Sequence, residues 1–335
     1  MTQWIIKDDL PDQMSPLCDL RATFEQRTGG ITTLDRLTKQ IGCSPSGFLC
    51  DDDKRAAMIS FRTGLKHISG EEASVVDHPR IESPWHILDH LPDLLTFDLE
   101  HAQTLDGEYD VASYGDHRID VHPSALILPG AILDASMGAI RIEEGAVIRP
   151  NAVLCGPCWI GKNSTIIDGA LIKANTSIGP WCKVGGEVGG TIFQACSNKS
   201  HDGHLGDSVI GEWVNFGAGT TNSNLLNTYG DIIVTDLEGK RHRTNRNFVG
   251  CFVGDHVKFA IETKIMTGII IGTGAMVASS TTIPSPTKRF AWITDEGERT
   301  YNIDKFIDVA KTVMKRRERY LDDATEVILR MLASE

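Results

Sequence analysis

The sequence predicts a mainly β chain: a parallel β-helix of six-residue repeats, with a small α/β region ahead of it and an amphipathic α-helix behind. Three observations carry this. From Ile142 an aliphatic residue recurs every six positions, at Ile148, Leu154, Ile160, Ile166, Ile172, Ile178 and Val184. Four places after each stands a small or modest residue: Ala146, Ala152, Cys158, Ser164, Ala170, Thr176, Cys182 and Val188. Glycine is abundant at 32 residues while aromatics make up only 7%, which suits tight corners and small interior positions. A fixed short period is the signature of a solenoid. Each hexad gives one short strand and a corner, and three hexads make one coil. No coil buries its apolar face alone, so the stack forms as a unit.

Residues 1–115 carry no such period and read as a short N-terminal domain. It opens with a strand-like run, Trp4-Ile5-Ile6, followed by a helix expected around Leu20–Leu37 and by Gly- and Asp-rich connections. Residues 116–290 form the β-helix. Its register is visible at Val121, Ile127 and Leu133, slips by three residues around Gly138, and returns at Ile210, Phe216 and from Val253 through Ile283. Glycines such as Gly161, Gly179, Gly211, Gly254 and Gly272 follow the inward aliphatic and mark corners. Two stretches break the period, about 190–207 and about 222–247. Breaks in a solenoid map to surface loops, often on the binding side, so functional chemistry is expected there. In residues 291–335, Phe306, Val309, Val313, Tyr320, Ala324, Val327 and Met331 recur at helical spacing over Asn302–Leu332. One amphipathic helix is expected, packed on the β-helix or on a neighbouring subunit.

Composition removes several function classes. Lys plus Arg is 33 against 45 for Asp plus Glu, a net charge of −12, which argues against non-specific coating of nucleic acid or an anionic membrane. No apolar run reaches the roughly 20 residues of a spanning helix, and the N-terminus lacks signal-peptide character, so the chain reads as cytoplasmic. Eight cysteines in such a chain read as thiols. Cys155-Gly156-Pro157-Cys158 spells a thioredoxin-like motif, but that motif needs a βαβ setting. The hexad register instead makes Cys158 a small interior residue.

The block from His201-Asp202-Gly203-His204-Leu205-Gly206-Asp207 through Asn215-Phe216-Gly217-Ala218-Gly219-Thr220 is similar to the acetyltransferase domain of the bifunctional N-acetylglucosamine-1-phosphate uridyltransferase/glucosamine-1-phosphate N-acetyltransferases. Gly185-Gly186-Glu187-Val188, Ser197-Asn198-Lys199, Gly211-Glu212-Trp213 and Ser15-Pro16-Leu17-Cys18-Asp19-Leu20-Arg21 resemble an alternative, GlmU-like branch of that family. The resemblance implies a left-handed β-helix, a homotrimer with sites between subunits, and acetyl-CoA as co-substrate. It aligns His201, not His204, with the catalytic histidine. The family's lysine for the sugar phosphate falls near Gly189, leaving Lys183, Lys199 or Arg149 to substitute. His204 stands where the family has an aromatic sugar contact. The Gly-rich phosphate loop of the uridyltransferase half is missing, and 115 residues are too few for a full nucleotidyltransferase domain. Mg would matter only if such an activity survived.

Acetyl transfer to an amine needs a base for the amine proton and donors for the developing oxyanion. His201 is the expected base, with Asp202 either orienting it or forming a turn. The rival readings are a locally bonded loop histidine, or a metal set of His201, His204, Asp202 and Asp207. Lys199, His204, Asn215, Asn224 and Glu187 are the expected substrate contacts. Ala218, Gly219, Ala260, Ile261, Ser279, Lys288 and Arg289 are expected along the acetyl-CoA arm, with oxyanion donors among the Gly217–Gly219 amides. The basic run Lys240–Arg243 binds a sugar phosphate or decorates a hairpin tip. Asp51-Asp52-Asp53 reads as an exposed loop. The leading expectation is an acetyl-CoA-dependent N-acetyltransferase acting on an amino-sugar phosphate such as glucosamine 1-phosphate. The alternatives are a UDP-N-acetylglucosamine pyrophosphorylase-related protein, or a non-catalytic β-helix subunit.

Overall fold

The computed structural model describes residues 4–10, 12–68, 74–76 and 81–335. Its body is a parallel β-solenoid of about ten turns, in keeping with a left-handed β-helix. Strands from Ala112–Tyr114 to Ala291–Thr294 stack into three faces. The first face holds the strands containing Val121, Ile142, Ile160, Ile178, Phe193, Ile210, Val253 and Ile271. The second holds Ile127, Ile148, Ile166, Val184 and Lys199, and the third Leu133, Leu154, Ile172, Val188 and Leu205. Every inward aliphatic from Ile142 to Val184, and the small residues Ala146, Ala152, Cys158, Ser164, Ala170, Thr176, Cys182 and Val188, are at most 1% exposed. All eight cysteines are free, and burial pushes the Cys158 thiol well up, as befits filling rather than redox chemistry.

The two breaks in the period have different causes. Across 190–207 the expected surface loop is absent, because the ladder continues through Ile192–Phe193, Asn198–Lys199 and His204–Gly206. Val184 pairs with Lys199 only 15 residues on, whereas Ile166 and Val184 are 18 apart. The coil is shortened, so the six-residue register fails while the stacking persists. The second break does leave the solenoid, as an antiparallel hairpin of Ile233–Thr235 with Arg241–Arg243.

The N-terminal region is a three-stranded parallel sheet of β1 (Trp4–Lys7), β2 (Gly47–Leu49) and β3 (Ser74–Val75), in the order β2-β1-β3. The helix expected at Leu20–Leu37 begins later, as α1 (Thr33–Ile41), because Thr32 caps it by accepting from the Asp35 amide. Residues before it carry a short 3₁₀ turn, Thr23–Glu25, and buried contacts to the β-helix. Asp52 is no bare loop residue: it caps α2 (Asp53–Thr63), accepting from the Lys54 and Arg55 amides.

The long helix α3 (Pro84–His101) lays Trp85, Leu88, Leu91 and Leu95 over the outer side of the first face, against Trp159, Ile192, Val209, Phe252 and Ile270. That face is therefore buried on both sides, and the hairpin closes its edge through Val234 and the Trp85–His242 ring contact at 5.4 Å. Buried ion pairs lock the two regions together. Arg21 Nη2 lies 2.6 Å from Asp255 Oδ1, and Arg289 lies 2.9 Å from Asp19 Oδ2. The N-terminal region thus clamps the solenoid.

The single C-terminal helix is corrected to two, α4 (Ile303–Lys315) and α5 (Asp323–Leu332). Glu318 adopts a positive φ of 56° and Asp322 caps α5, so the helical run stops at their connection. The buried residues are Phe306, Ile307, Ala310, Ile328 and Leu329, while Val309, Tyr320 and Val327 are exposed. The apolar stripe read through the break holds in part: Phe306 is buried and Ala324 and Met331 pack against the core, but Val309, Tyr320 and Val327 do not. Both helices pack against the N-terminal region, sharing a core with Trp4, Phe24, Phe48 and Met58.

Candidate active site

Each coil turns from the second face to the third through one corner, and the solenoid stacks these corners in a column. Lys199 to Gly203 form one of them, Phe216 to Thr220 the next and Phe259 to Thr263 the one after. The Gly217 amide donates to Phe259 O at 3.0 Å, the Ala260 amide to Val277 O at 2.7 Å, and Thr220 Oγ1 to Ala260 O at 3.0 Å. His201, Asp202, Ala218, Gly219, Ala260, Ile261 and Ser279 therefore line a single edge, although up to 78 positions separate them.

Two glycines allow this close stacking. A Cβ on Gly217 would lie 2.4 Å from Ala260 C, and one on Gly203, whose φ is +123°, would lie 2.2 Å from Thr220 O. The Gly217 amide is consumed by the ladder, so it cannot serve as an oxyanion donor. Among the described residues, the Ala218 and Gly219 amides have no backbone acceptor.

Beneath His201 the interior turns polar. Lys199 occupies an inward column position between Val184 and Phe216, yet it is only 2% exposed. Its Nζ donates to Gly185 O at 3.1 Å and His201 O at 2.8 Å. Burial pushes its ammonium down to about 8. Lys199 thus anchors the loop from inside and presents no amine to a surface ligand, a correction to its expected role as a substrate contact. Asn222 likewise stands inward, where the coil above has Ile265, and holds the Gly206 N–H and C=O at 2.9 Å each. It replaces the strand partner that the departing hairpin removes.

The His201 side chain is exposed and makes no hydrogen bond among the described residues. Asp202 is exposed too, with no hydrogen bond to His201. Past the corner, on the third face, Glu187 pairs in register with His204. His204 Nδ1 is buried without a hydrogen-bond partner, 4.0 Å from Glu187 Oε1. Asn224 Nδ2 donates to Asp207 Oδ2 at 2.7 Å, and burial raises the Asp207 carboxyl. Asn215 is exposed on the second face, one residue before the corner.

Lys173 was missed by sequence reasoning. Its side chain lies across Gly189, where a Cβ would sit 3.0 Å from Lys173 Cβ, and its Nζ pairs with Glu187 at 2.9 Å. Only the 16-residue spacing of Leu171 and Glu187 brings it there, and the hexad register hides that spacing. Other expected residues lie elsewhere. Arg289 is bound to Asp19, Ser15 and Glu335, and with exposed Lys288 it sits at the corner between the first and second faces. Neither lies on the His201 edge. Arg149 pairs with Asp168. In the hairpin Arg243 pairs with Asp231, and His242, which faces α3, pairs with Asp236. No group of three metal-ligating side chains occurs among the described residues. A cavity of ≈ 320 Å³ opens between α1 and α3, away from His201.

No family model matches the chain. It is 32% identical over 145 residues to the bifunctional protein GlmU of Methanococcus maripaludis, covering 43% of this chain and 35% of that one. It is 36% identical over 142 residues to the bifunctional sugar-1-phosphate nucleotidylyltransferase/acetyltransferase of Sulfurisphaera tokodaii, covering 42% and 35%. Over its C-terminal half the chain is homologous to GlmU-type bifunctional proteins. It spans about a third of the length of these curated relatives.

Proposed function

We propose that the chain is an acetyl-CoA-dependent N-acetyltransferase of an amino-sugar phosphate, with His201 as general base. The observation that carries this reading is the single corner edge. It brings an unbonded imidazole, the free Ala218 and Gly219 amides and the Ala260–Ile261 corner into one column. Similarity to enzymes named as acetyltransferases supports the same chemistry. In the reaction, the amine nitrogen attacks the thioester carbonyl. His201 accepts the amine proton, and the Ala218 and Gly219 amides face the developing oxyanion. As the carbonyl re-forms the C–S bond breaks, and the leaving thiolate takes the proton back from the His201 imidazolium to depart as the CoA thiol. Lys173, paired with Glu187, supplies a cation toward the sugar phosphate in place of a side chain at Gly189. Asn215, Asn224 and His204 complete the acceptor wall.

The chain is further proposed to act in the cytosol as a homotrimer, which light scattering tests. The N-terminal region is read as a clamp rather than a nucleotidyltransferase, since Arg21 of its signature run is held by Asp255 at 2.6 Å. Absence of pyrophosphate release from UTP and a sugar phosphate checks that part.

The deciding experiment is thiol release from acetyl-CoA with glucosamine 1-phosphate and a panel of amino sugars. His201→Ala should lower the rate by roughly 10²–10⁴-fold. A variant that keeps the full rate removes His201 as base. Thiol release with none of the acceptors removes the function.

A further inference from the structure

The second face carries, on its outer side, an unbroken cross-strand row: Lys183 pairs with Asn198, Asn198 with Asn215, and Asn215 with Lys258. At the usual strand spacing this row is about 14 Å long. The connection between α4 and α5 folds across it. Arg317 Nη2 donates to Asn198 Oδ1 at 2.6 Å and Nη1 to the Trp181 carbonyl. The Arg317 guanidinium lies 6.0 Å from the Trp213 ring, and that of Arg319 lies 5.7 Å from the Trp181 ring. The Trp181 ring is exposed, while that of Trp213 is buried and stacks on His256. Trp181 and Trp213 occupy corner positions with φ of 62° and 60°. Bulky residues rarely adopt that conformation.

Arg21, Arg36, Arg55 and Arg62 each hold a carboxylate. Among the described residues, Lys183, Lys258, Arg317 and Arg319 have no carboxylate within 4 Å. Lys258 Nζ donates to the Trp213 carbonyl, and burial together with the nearby Arg317 lowers its ammonium to about 8. In a chain of net charge −12, exposed Lys183 and Arg319, with the half-buried Arg317 and Lys258 behind them, make a local positive field on this face.

We infer that Lys183, Lys258, Arg317 and Arg319, with Asn198 and Asn215 between them, form a binding site for a phosphorylated small molecule. The guanidinium of Arg319, without a side-chain hydrogen bond among the described residues, offers fork geometry to phosphate oxygens, and exposed Lys183 adds a point charge. Arg317 and Lys258 add positive charge from behind, and the asparagine amides donate between them. The exposed Trp181 ring, 41% accessible, gives a flat apolar wall for whatever group bears the phosphate. The site shares Asn215 with the proposed acceptor wall, and it otherwise rests on charge and register, without reference to turnover.

The test is titration of the full chain with inorganic pyrophosphate, followed by calorimetry and by the fluorescence of Trp181 and Trp213. Binding in the millimolar range or tighter is expected, weakening steeply with salt. Lys183→Ala removes an exposed residue with no structural bond, and should raise the Kd about 10-fold. Arg319→Ala should act in the same direction. Loss in these variants with unchanged circular dichroism supports the site. Absence of binding to the wild-type chain, or equal binding to both variants, overturns it. Two further arms identify the source of the phosphate. Competition by CoA but not by dephospho-CoA points to the acyl donor, and competition by glucosamine 1-phosphate points to the acceptor. Neither arm requires turnover, so an inactive chain that binds pyrophosphate leaves the site intact while removing the acyltransferase reading.

Discussion

The ammonium of Lys199, inside the solenoid, holds the backbone carbonyl of His201, on its surface, at 2.8 Å. An interior residue thereby sets the conformation of the loop that carries the candidate base. Lys199→Met keeps the column filled but frees the loop. Acetyl transfer should fall by about 10-fold or more through kcat, while the melting temperature is unchanged or rises, because a buried amine is removed. The pH dependence gives an independent signature. The folded chain holds this lysine near 8, below its ordinary value of 10.5. The unfolded state then binds more protons between those limits, so stability should increase as pH rises from about 8 to 10.5. Lys199→Met should flatten that part of the curve, measured by chemical denaturation.

The clamp between the regions should be strong. Arg21 and Asp255 are each 1% exposed, and Arg21→Met leaves the Asp255 carboxylate buried without its partner. A loss of about 3–5 kcal/mol is expected from breaking such a pair, seen as a lower urea midpoint. Arg21→Met with Asp255→Leu should recover much of it. An unchanged midpoint in the single variant would show that the pair does not hold the regions together.

Acid should weaken the same junction. Burial alone would raise the Glu212 carboxyl, but Arg62 and Arg21 outweigh it and hold it at about 2 against an ordinary 4.5. Its folded value is depressed, so its contribution is complete above about 4.5 and is lost as pH falls toward 2. Glu212→Gln should therefore lower stability at pH 7 and have a shrinking effect below pH 4, as followed by denaturation at each pH.

Corner packing gives a fourth measurement. Gly217→Ala places a methyl 2.4 Å from Ala260 C and 2.5 Å from Ile261 N, both backbone atoms. Overpacking of this kind costs about 1–3 kcal/mol. A lower melting temperature with an even larger loss of acetyl transfer is expected, because the same shift displaces the Ala218 and Gly219 amides.

Lys173 separates binding from chemistry. Lys173→Ala should raise KM for the sugar phosphate about 10-fold with kcat nearly kept, and should leave an unphosphorylated amino sugar unaffected. Equal effects on both acceptors would remove the phosphate contact.

The solenoid itself was legible in the sequence. An inward residue recurs because the coil repeats, so Ile142 to Val184 report their burial by spacing alone, whereas His201, Ala218 and Gly219 are singled out by the family resemblance of the block that holds them. Three things were decided only by the tertiary structure. The coil shortened to 15 residues keeps its stack while losing its period, so Lys199 reads as a surface polar residue when it is an interior one. The phase of α4 and α5 depends on a break at Glu318 and on what covers them, neither of which is a local property. Arg289, assigned by position to the acetyl-CoA arm, is bound to Asp19, 270 residues away, and Lys173 reaches Gly189 only through coil stacking. Periodicity encodes contacts between neighbouring coils. Contacts between the solenoid and the segments folded upon it have no period, so the chain must be seen folded to find them.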